Sequence, residues 1–405
     1  MKTKPLTSRR SFIKTTLGMP IALAASPVLE TRAAPAAAAV AGELPRRKLG
    51  DHGPDVTMLN IGGMMTCLSA EFLDIAWSMG IRYFDNADCY VKGKSETFIG
   101  DWLRKHPEKR KEVFIATKDH PRGGPEQLLE MIDRRLERLG TNYVDIFYIH
   151  GINPREYGED SLTWPKSDRF KRVAEKLKSS GKCKMVGFTC HDPRLVDYLN
   201  AAAEGKFVDA IMLRYTPFFQ PGDPLDRALD ACHKVGIGLV AMKTMRNLGD
   251  VPKRIPEFDK LGLNTHQAVL HACWTDHRIA SVCSMLNNVD QIECNTTAAR
   301  TYKTPLKFAH KELLRQTILA HRRTMCPGCP SCDAAAAHTE FAFQDIARFV
   351  TYYEQDGNLD AHDFYHALPL SARDASGVDL AALRESCAFG VDYEDIIARA
   401  RRCFA

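Results

Sequence analysis

Eight short runs rich in β-branched and aromatic residues recur along this chain, most of them followed by a stretch with helical spacing. That alternation restricts the fold more than any other feature. The strand-like runs begin near Leu59, Ile81, Val113, Val144, Met185, Asp209, Gly238 and Ala280. Helical runs such as Gln127 to Leu139 and Phe170 to Ser179 lie between them, and Leu139-Gly140 and Ser180-Gly181 read as helix stops. Eight β/α units over roughly 260 residues have the size of a TIM (β/α)8 barrel. An open doubly wound sheet is the alternative. No Gly-x-Gly-x-x-Gly follows an early strand, so a dinucleotide fold of that kind is not expected. Ahead of the first unit, Arg47-Lys48-Leu49-Gly50, Asp51-His52-Gly53 and Val56 to Leu59 read as a short hairpin.

In such a barrel the C-terminal strand ends converge on one face, where chemistry is built. Asp85 and Tyr90, then Lys118, then His150 stand at the ends of three successive strand-like runs. A carboxylate, a phenol, an ammonium and an imidazole at one mouth make a proton-transfer device, suited to carbonyl reduction or alcohol oxidation.

The pattern around these residues is specific. Phe84-Asp85-Asn86-Ala87-Asp88-Cys89-Tyr90, followed by Gly93-Lys94-Ser95-Glu96, resembles the signature of the aldo-keto reductases. Thr117-Lys118 and Tyr148-Ile149-His150-Gly151 fall where that family has its Lys and His, and the resemblance runs from about Leu44 to Tyr302. It implies that Asp85 pairs with Lys118, that His150 orients the carbonyl oxygen, and that Tyr90 delivers the proton while a nicotinamide delivers hydride. A free phenol has a pKa of about 10; a nearby ammonium is expected to lower it, and roughly three units correspond to about 4 kcal/mol.

The resemblance also implies a cofactor site, with departures. Thr189, in Gly187-Phe188-Thr189-Cys190, keeps a hydroxyl where the family holds the nicotinamide amide, but Cys190 replaces an Asn. Met212 stands where a Gln often helps, and Met242 where a Tyr stacks on the ring. Lys243 is expected to meet pyrophosphate, and the helix start after Asn288 to bind phosphate, with Gln291 and Asn295 at adenosine-contacting positions. No Lys or Arg stands at Met285 or Gln291 to grip a 2′-phosphate, so both NADP and NAD remain open.

From about residue 305 the alternation stops. Helix, Cys-rich loop, helix (Phe341 to Gln355) and a last helix near Tyr393 to Arg402 follow. Asp356 to Asp360 lacks EF-hand spacing and reads as a loop. The chain has 13 cysteines. Cys67, Cys89, Cys183, Cys190, Cys232, Cys273, Cys283 and Cys294 are scattered in apolar or strand-end contexts, which argues against a general disulfide framework. Cys326-Pro327-Gly328-Cys329-Pro330-Ser331-Cys332 instead resembles the iron–sulfur ligand run of ferredoxins, and Cys387 the remote fourth ligand of ferredoxin-tailed aldo-keto reductases. The resemblance implies one 4Fe-4S cluster on Cys326, Cys329, Cys332 and Cys387, with zinc as the alternative. Such a cluster would relay electrons to a redox partner or staple the tail.

The formal net charge is +5. Residues 1–41 carry Lys2, Lys4, Arg9, Arg10, Lys14 and Arg32 against Glu30, so the rest is formally neutral, and no nucleic-acid footprint is expected. Ser8-Arg9-Arg10-Ser11-Phe12-Ile13-Lys14 resembles a twin-arginine export motif, followed by an apolar stretch broken by Pro20 and Pro27 and small-residue sites ending at Ala39-Val40-Ala41. That stretch is too short to span a bilayer. The expected organisation is an export signal over 1–41, a barrel over 44–304 and a cluster-bearing helical tail over 305–405. The product would be periplasmic and act on a small carbonyl or alcohol, without a stable membrane span. The competing expectation is an exported iron–sulfur electron-transfer or interaction protein whose barrel no longer binds nicotinamide.

Overall fold

Side chains alternate sides along a strand, so in a closed barrel every second residue faces the interior. The computed structural model shows this directly. It describes residues 42–405 apart from 65–68, 245–247, 249–250, 322–325, 327–331, 333–334, 336–338, 357, 388–389 and 405. The segment read as an export signal, Cys67 and Cys329 lie outside the described residues.

Eight parallel strands close the barrel: β3 (Leu59–Gly62), β4 (Tyr83–Asp85), β5 (Phe114–Asp119), β6 (Val144–Ile149), β7 (Cys183–Cys190), β8 (Ala210–Arg214), β9 (Gly238–Met242) and β10 (Ile279–Ser284). Each pairs with its neighbours in the sequence, and β10 pairs with β3. The outer ring is α1 (Ala70–Ser78), α2 (Lys94–Lys105), α3 (Leu128–Leu139), α4 (Asp168–Ser179), α5 (Leu195–Gly205), α6 (Pro224–Lys234), α7 (Thr265–Thr275) and α8 (Val289–Thr301). In β6, Val144, Phe147 and Ile149 pack outward on the helices, while Ile146 and Tyr148 pack in the barrel interior. The hairpin of β1 (Arg46–Lys48) and β2 (Asp55–Thr57) closes the bottom, inserting Leu49 and Val56 into that interior. Its Arg47 guanidinium donates to the carbonyls of Trp274, Asp276 and Ile279 at 2.6, 3.0 and 2.8 Å, which ties it to the last unit.

The strand expected near Ile81 starts at Tyr83. Gly80 sits at φ +90° and the Ile81 N–H bonds back to the Ala76 carbonyl, so Ile81 still belongs to the helix-ending turn. Gly140 ends α3 in the left-handed conformation.

The tail adds α9 (Phe308–His321), α10 (Phe343–Asp356), α11 (Asp360–His366), α12 (Leu380–Ser386) and α13 (Tyr393–Phe404). It has its own apolar core, including Phe341, Phe349, Leu383 and Ile396. Phe218, from the loop after β8, packs against both this core and the barrel's helical layer. Among the described residues, no helix is long and apolar enough to cross a membrane.

Close packing between β7 and β8 yields a test. A Cβ on Gly187 would lie 1.9 Å from the Ala210 carbonyl oxygen and 3.0 Å from the Tyr148 ring. Gly187→Ala is expected to cost about 2–3 kcal/mol, since neither strand can retreat within a closed barrel. Urea unfolding measures it; an unchanged midpoint would contradict this strand spacing.

Candidate active site

Strand parity determines which predicted residues meet. Tyr83, Ala116 and Tyr148 face the barrel interior, so Asp85, Lys118 and His150, each two residues further on, share that side at the C-terminal mouth. Lys118 is 1% exposed, and its Nζ lies 2.7 Å from the Asp85 carboxylate. The same ammonium donates to the Asn86 carbonyl at 2.6 Å and to Tyr90 Oη at 3.3 Å. The edge of the Tyr90 ring meets the His150 ring at a centroid distance of 5.4 Å. Tyr90 is followed by Val91 and Lys92 at φ 52° and 55°. A β-branched residue rarely adopts that conformation, and such strain tends to collect at functional sites.

The electrostatics differ from the simplest expectation. Burial pushes the Tyr90 phenol well above its ordinary range, and Asp85, Cys89, Cys283 and Tyr352 push the same way. At rest Tyr90 is therefore a protonated donor held by Lys118, rather than a phenolate. Burial also raises the Asp85 carboxyl, and Lys118 opposes that rise. Burial lowers His150 to about 3, so its imidazole is neutral at physiological pH.

Sequence reasoning passed over three neighbours. Asp88 and Cys89 sit between Asp85 and Tyr90 in the matched motif, and His120 is two residues beyond Lys118. Their signal was parity and loop position. His120 Nδ1 lies 3.2 Å from Asp88, and the His120 and His150 rings lie tilted at 40° with centroids 4.4 Å apart. Tyr157 Oη donates to the His150 carbonyl at 2.6 Å.

Of the residues expected to hold a cofactor, Thr189 lies near the end of β7, Met242 ends β9, Lys243 follows it, and Met212 sits mid-way along β8 between those strands. Met212 and Met242 belong to the barrel interior. Thr189 Oγ1 accepts the Gly151 N–H at 2.7 Å. Lys243, at φ 60°, donates from Nζ to Tyr352 Oη on α10 at 3.3 Å. Asn288 Oδ1 caps α8 by accepting the Gln291 N–H, and the Gln291 side chain accepts from Asn287 N. Asn295 donates to Ser284 Oγ at 2.9 Å. The tail also bonds this rim: Arg214, ending β8, donates to Gln344 Oε1, and Arg155 to Asp345 at 3.0 Å.

In the tail, Cys326 and Cys332 are buried, each within 3.9 Å of Tyr393 Oη, and Val391 N–H donates to Cys387 Sγ at 3.4 Å. Burial raises the Tyr393 phenol, and the neighbouring thiols of Cys326, Cys332 and Cys387 push the same way. Among the described residues no disulfide forms.

The family model described as the aldo/keto reductase family matches residues 60–302. This chain belongs to that family. Among curated relatives, the aldo-keto reductase str7 of Strobilurus tenacellus is 31% identical over 177 residues, covering 42% of this chain and 48% of that protein. The D-threo-aldose 1-dehydrogenase of a Pseudomonas sp is 28% identical over 260 residues, or 55% of this chain and 74% of that one. A solved aldo-keto reductase of Bacillus halodurans, in its holo form, superposes with a TM-score of 0.54 at 22% identity, over 68% of this chain and 96% of that one, and so shares the fold. The chain spans about half the length of several curated relatives it matches, 48% and 56% for the Strobilurus protein and an uncharacterised Bacillus subtilis oxidoreductase. Asp85, Tyr90, Lys118 and His150 of this aldo/keto reductase lie inside the matched span; the tail lies beyond it.

A buried ion pair is costly when half of it is removed, by about 3–5 kcal/mol, and far less so when both halves are neutralised. Asp85→Asn and Lys118→Met should each destabilise strongly, while the double variant should recover at least about 2 kcal/mol relative to additivity. A denaturation double-mutant cycle reads this, and strict additivity would mean that the pair is not coupled.

Proposed function

We propose that this aldo/keto reductase interconverts a small carbonyl and its alcohol, with Tyr90 as the proton donor and a nicotinamide as the hydride carrier. The observation that carries this reading is the chain Asp85–Lys118–Tyr90, with contacts of 2.7 and 3.3 Å. Asp85 anchors the ammonium. Lys118 holds the phenol oxygen and stabilises the charge that grows on it as its proton leaves. The neutral His150 ring, set edge-on to Tyr90, supplies a hydrogen-bond donor for the carbonyl oxygen.

The chain's own groups suit a dinucleotide in part. Lys243 is a cation at the rim, Thr189 brings a hydroxyl to the mouth, and the start of α8 carries backbone N–H groups of the kind that bind phosphate. When bound, a nicotinamide would supply the hydride. Met285 and Gln291 offer no cation for a 2′-phosphate, so NAD and NADP both remain within the proposal.

We also propose that Cys326, Cys329, Cys332 and Cys387 hold a 4Fe-4S cluster. Cys326 and Cys332 both lie within 3.9 Å of Tyr393 Oη in the tail's apolar core, which brings together two of the four ligands of such a cluster. Embedded in the tail's apolar core, it would staple the tail that carries α10 to the barrel rim. The twin-arginine motif at Arg9-Arg10 supports export of the folded, cluster-loaded protein to the periplasm.

A second reading has one observation in its favour. Tyr352 and Gln344 of the tail hold Lys243 and Arg214 on the side where a nicotinamide would lie. A barrel so covered could serve iron–sulfur electron transfer or interaction without nicotinamide. Fluorescence titration with NADPH and NADH separates the two, because binding of neither leaves only the second.

Tyr90→Phe should lower carbonyl reduction by about 10²–10⁴-fold with nucleotide affinity unchanged. Steady-state kinetics with a nucleotide titration measure both, and full activity in the variant would refute the donor role. Cys387→Ser should lose the visible iron–sulfur absorption and most of the iron; an unchanged spectrum would remove the cluster from the proposal.

A further inference from the structure

The ligand-type atoms of Asp88, Cys89, His120 and His150 all lie within 4.8 Å of one another. They come from three neighbouring strand ends: the loop after β4, the residue following β5 and the residue following β6. Both imidazoles present Nδ1 to Asp88, His120 at 3.2 Å and His150 at 3.5 Å, and Cys89 Sγ lies 3.8 Å from His150 Nδ1. Around a tetrahedral zinc ion, with metal–nitrogen bonds of about 2.05 Å and metal–sulfur bonds of about 2.3 Å, ligand atoms stand about 3.3 Å apart, or about 3.6 Å where one is sulfur. The three edges that meet Asp88 or join Cys89 to His150, at 3.2, 3.5 and 3.8 Å, lie within about 0.2 Å of those figures, and the others stay within 4.8 Å.

A second observation points the same way. Asp88 Oδ1 is buried with no hydrogen-bond donor on it, while the other carboxylate oxygen pairs with His120 Nδ1 at 3.2 Å. A buried carboxylate oxygen left so is costly unless another partner takes its lone pair. The backbone holds the arrangement ready: Asp88 N–H bonds to the Lys118 carbonyl at 3.1 Å, and His150 N–H to the Asp119 carbonyl at 2.8 Å. Cys89 is exposed, which leaves an entry path.

We propose that Asp88, Cys89, His120 and His150 form a mononuclear site for a divalent transition-metal ion of the zinc class. One sulfur, two imidazole nitrogens and one carboxylate oxygen favour such an ion over magnesium or calcium. Binding releases the Cys89 thiol proton to solvent, and the two negative ligands then balance the ion's charge. With Nδ1 on the metal, the proton of the neutral His150 ring resides on Nε2, so the ion sets the tautomer. That last consequence for catalysis rests on the role proposed above for His150; the site itself does not.

The test uses the full-length protein with its tail iron intact, cleared of adventitious divalent ions and titrated with cobalt(II). One equivalent should bind with the ligand-field bands of a tetrahedral ion and a thiolate-to-cobalt charge-transfer band, and zinc should displace it. Cys89→Ser should lose the charge-transfer band. His120→Asn should weaken cobalt binding by more than the roughly 10–100-fold typical of losing a supporting partner. Cys387→Ser should leave both signals in place. Circular dichroism without metal verifies that each variant is folded. Absence of a tetrahedral cobalt spectrum, or one indifferent to Cys89→Ser and His120→Asn, or one lost only with Cys387→Ser, would overturn the proposal. No nucleotide or substrate enters the assay, so an inactive protein that binds cobalt would count against the reductase reading alone.

Discussion

A lysine ammonium almost wholly removed from water persists only if its charge is answered, and Asp85 answers Lys118 at 2.7 Å. Much at the mouth depends on this pair. It joins the C-terminal ends of β4 and β5, and the same ammonium holds the Asn86 carbonyl and the Tyr90 hydroxyl. The barrel supplies the rigidity. Its strands are hydrogen-bonded on both edges, so a charge buried at one end cannot be relieved by local opening.

Around that pair the site is layered. Tyr90 is kept protonated by burial and by surrounding anionic and polarisable groups, while His150 is kept neutral. A donor phenol beside a neutral imidazole is the protonation pattern that carbonyl reduction needs before hydride arrives. Beside His150, Asp88, Cys89 and His120 form a polar cluster that the chemistry of Tyr90 does not require. That surplus of ligands separates this mouth from a minimal proton-transfer site.

The tail changes the barrel's surroundings. Arg155, Arg214 and Lys243 on the rim are each bonded to Asp345, Gln344 or Tyr352 of one helix. The same helix that touches the rim also packs in the apolar core that holds Cys326 and Cys332.

The sequence by itself determined the barrel and the four residues at its mouth. Short β-rich runs alternating with helical ones admit few architectures, and the spacing of Asp85 and Tyr90 with Lys118 and His150 at later strand ends is a local pattern. Strand limits such as Tyr83 rather than Ile81 were illegible, because they depend on how a turn closes its own hydrogen bonds. The tertiary structure alone decided three things. It set the phenol's protonation, since burial outweighs the one nearby ammonium that sequence could name. It placed α10 on the rim, a contact between segments more than a hundred residues apart. It brought His120 to Asp88 and Cys89, because only the parallel register of β4, β5 and β6 puts those strand ends side by side.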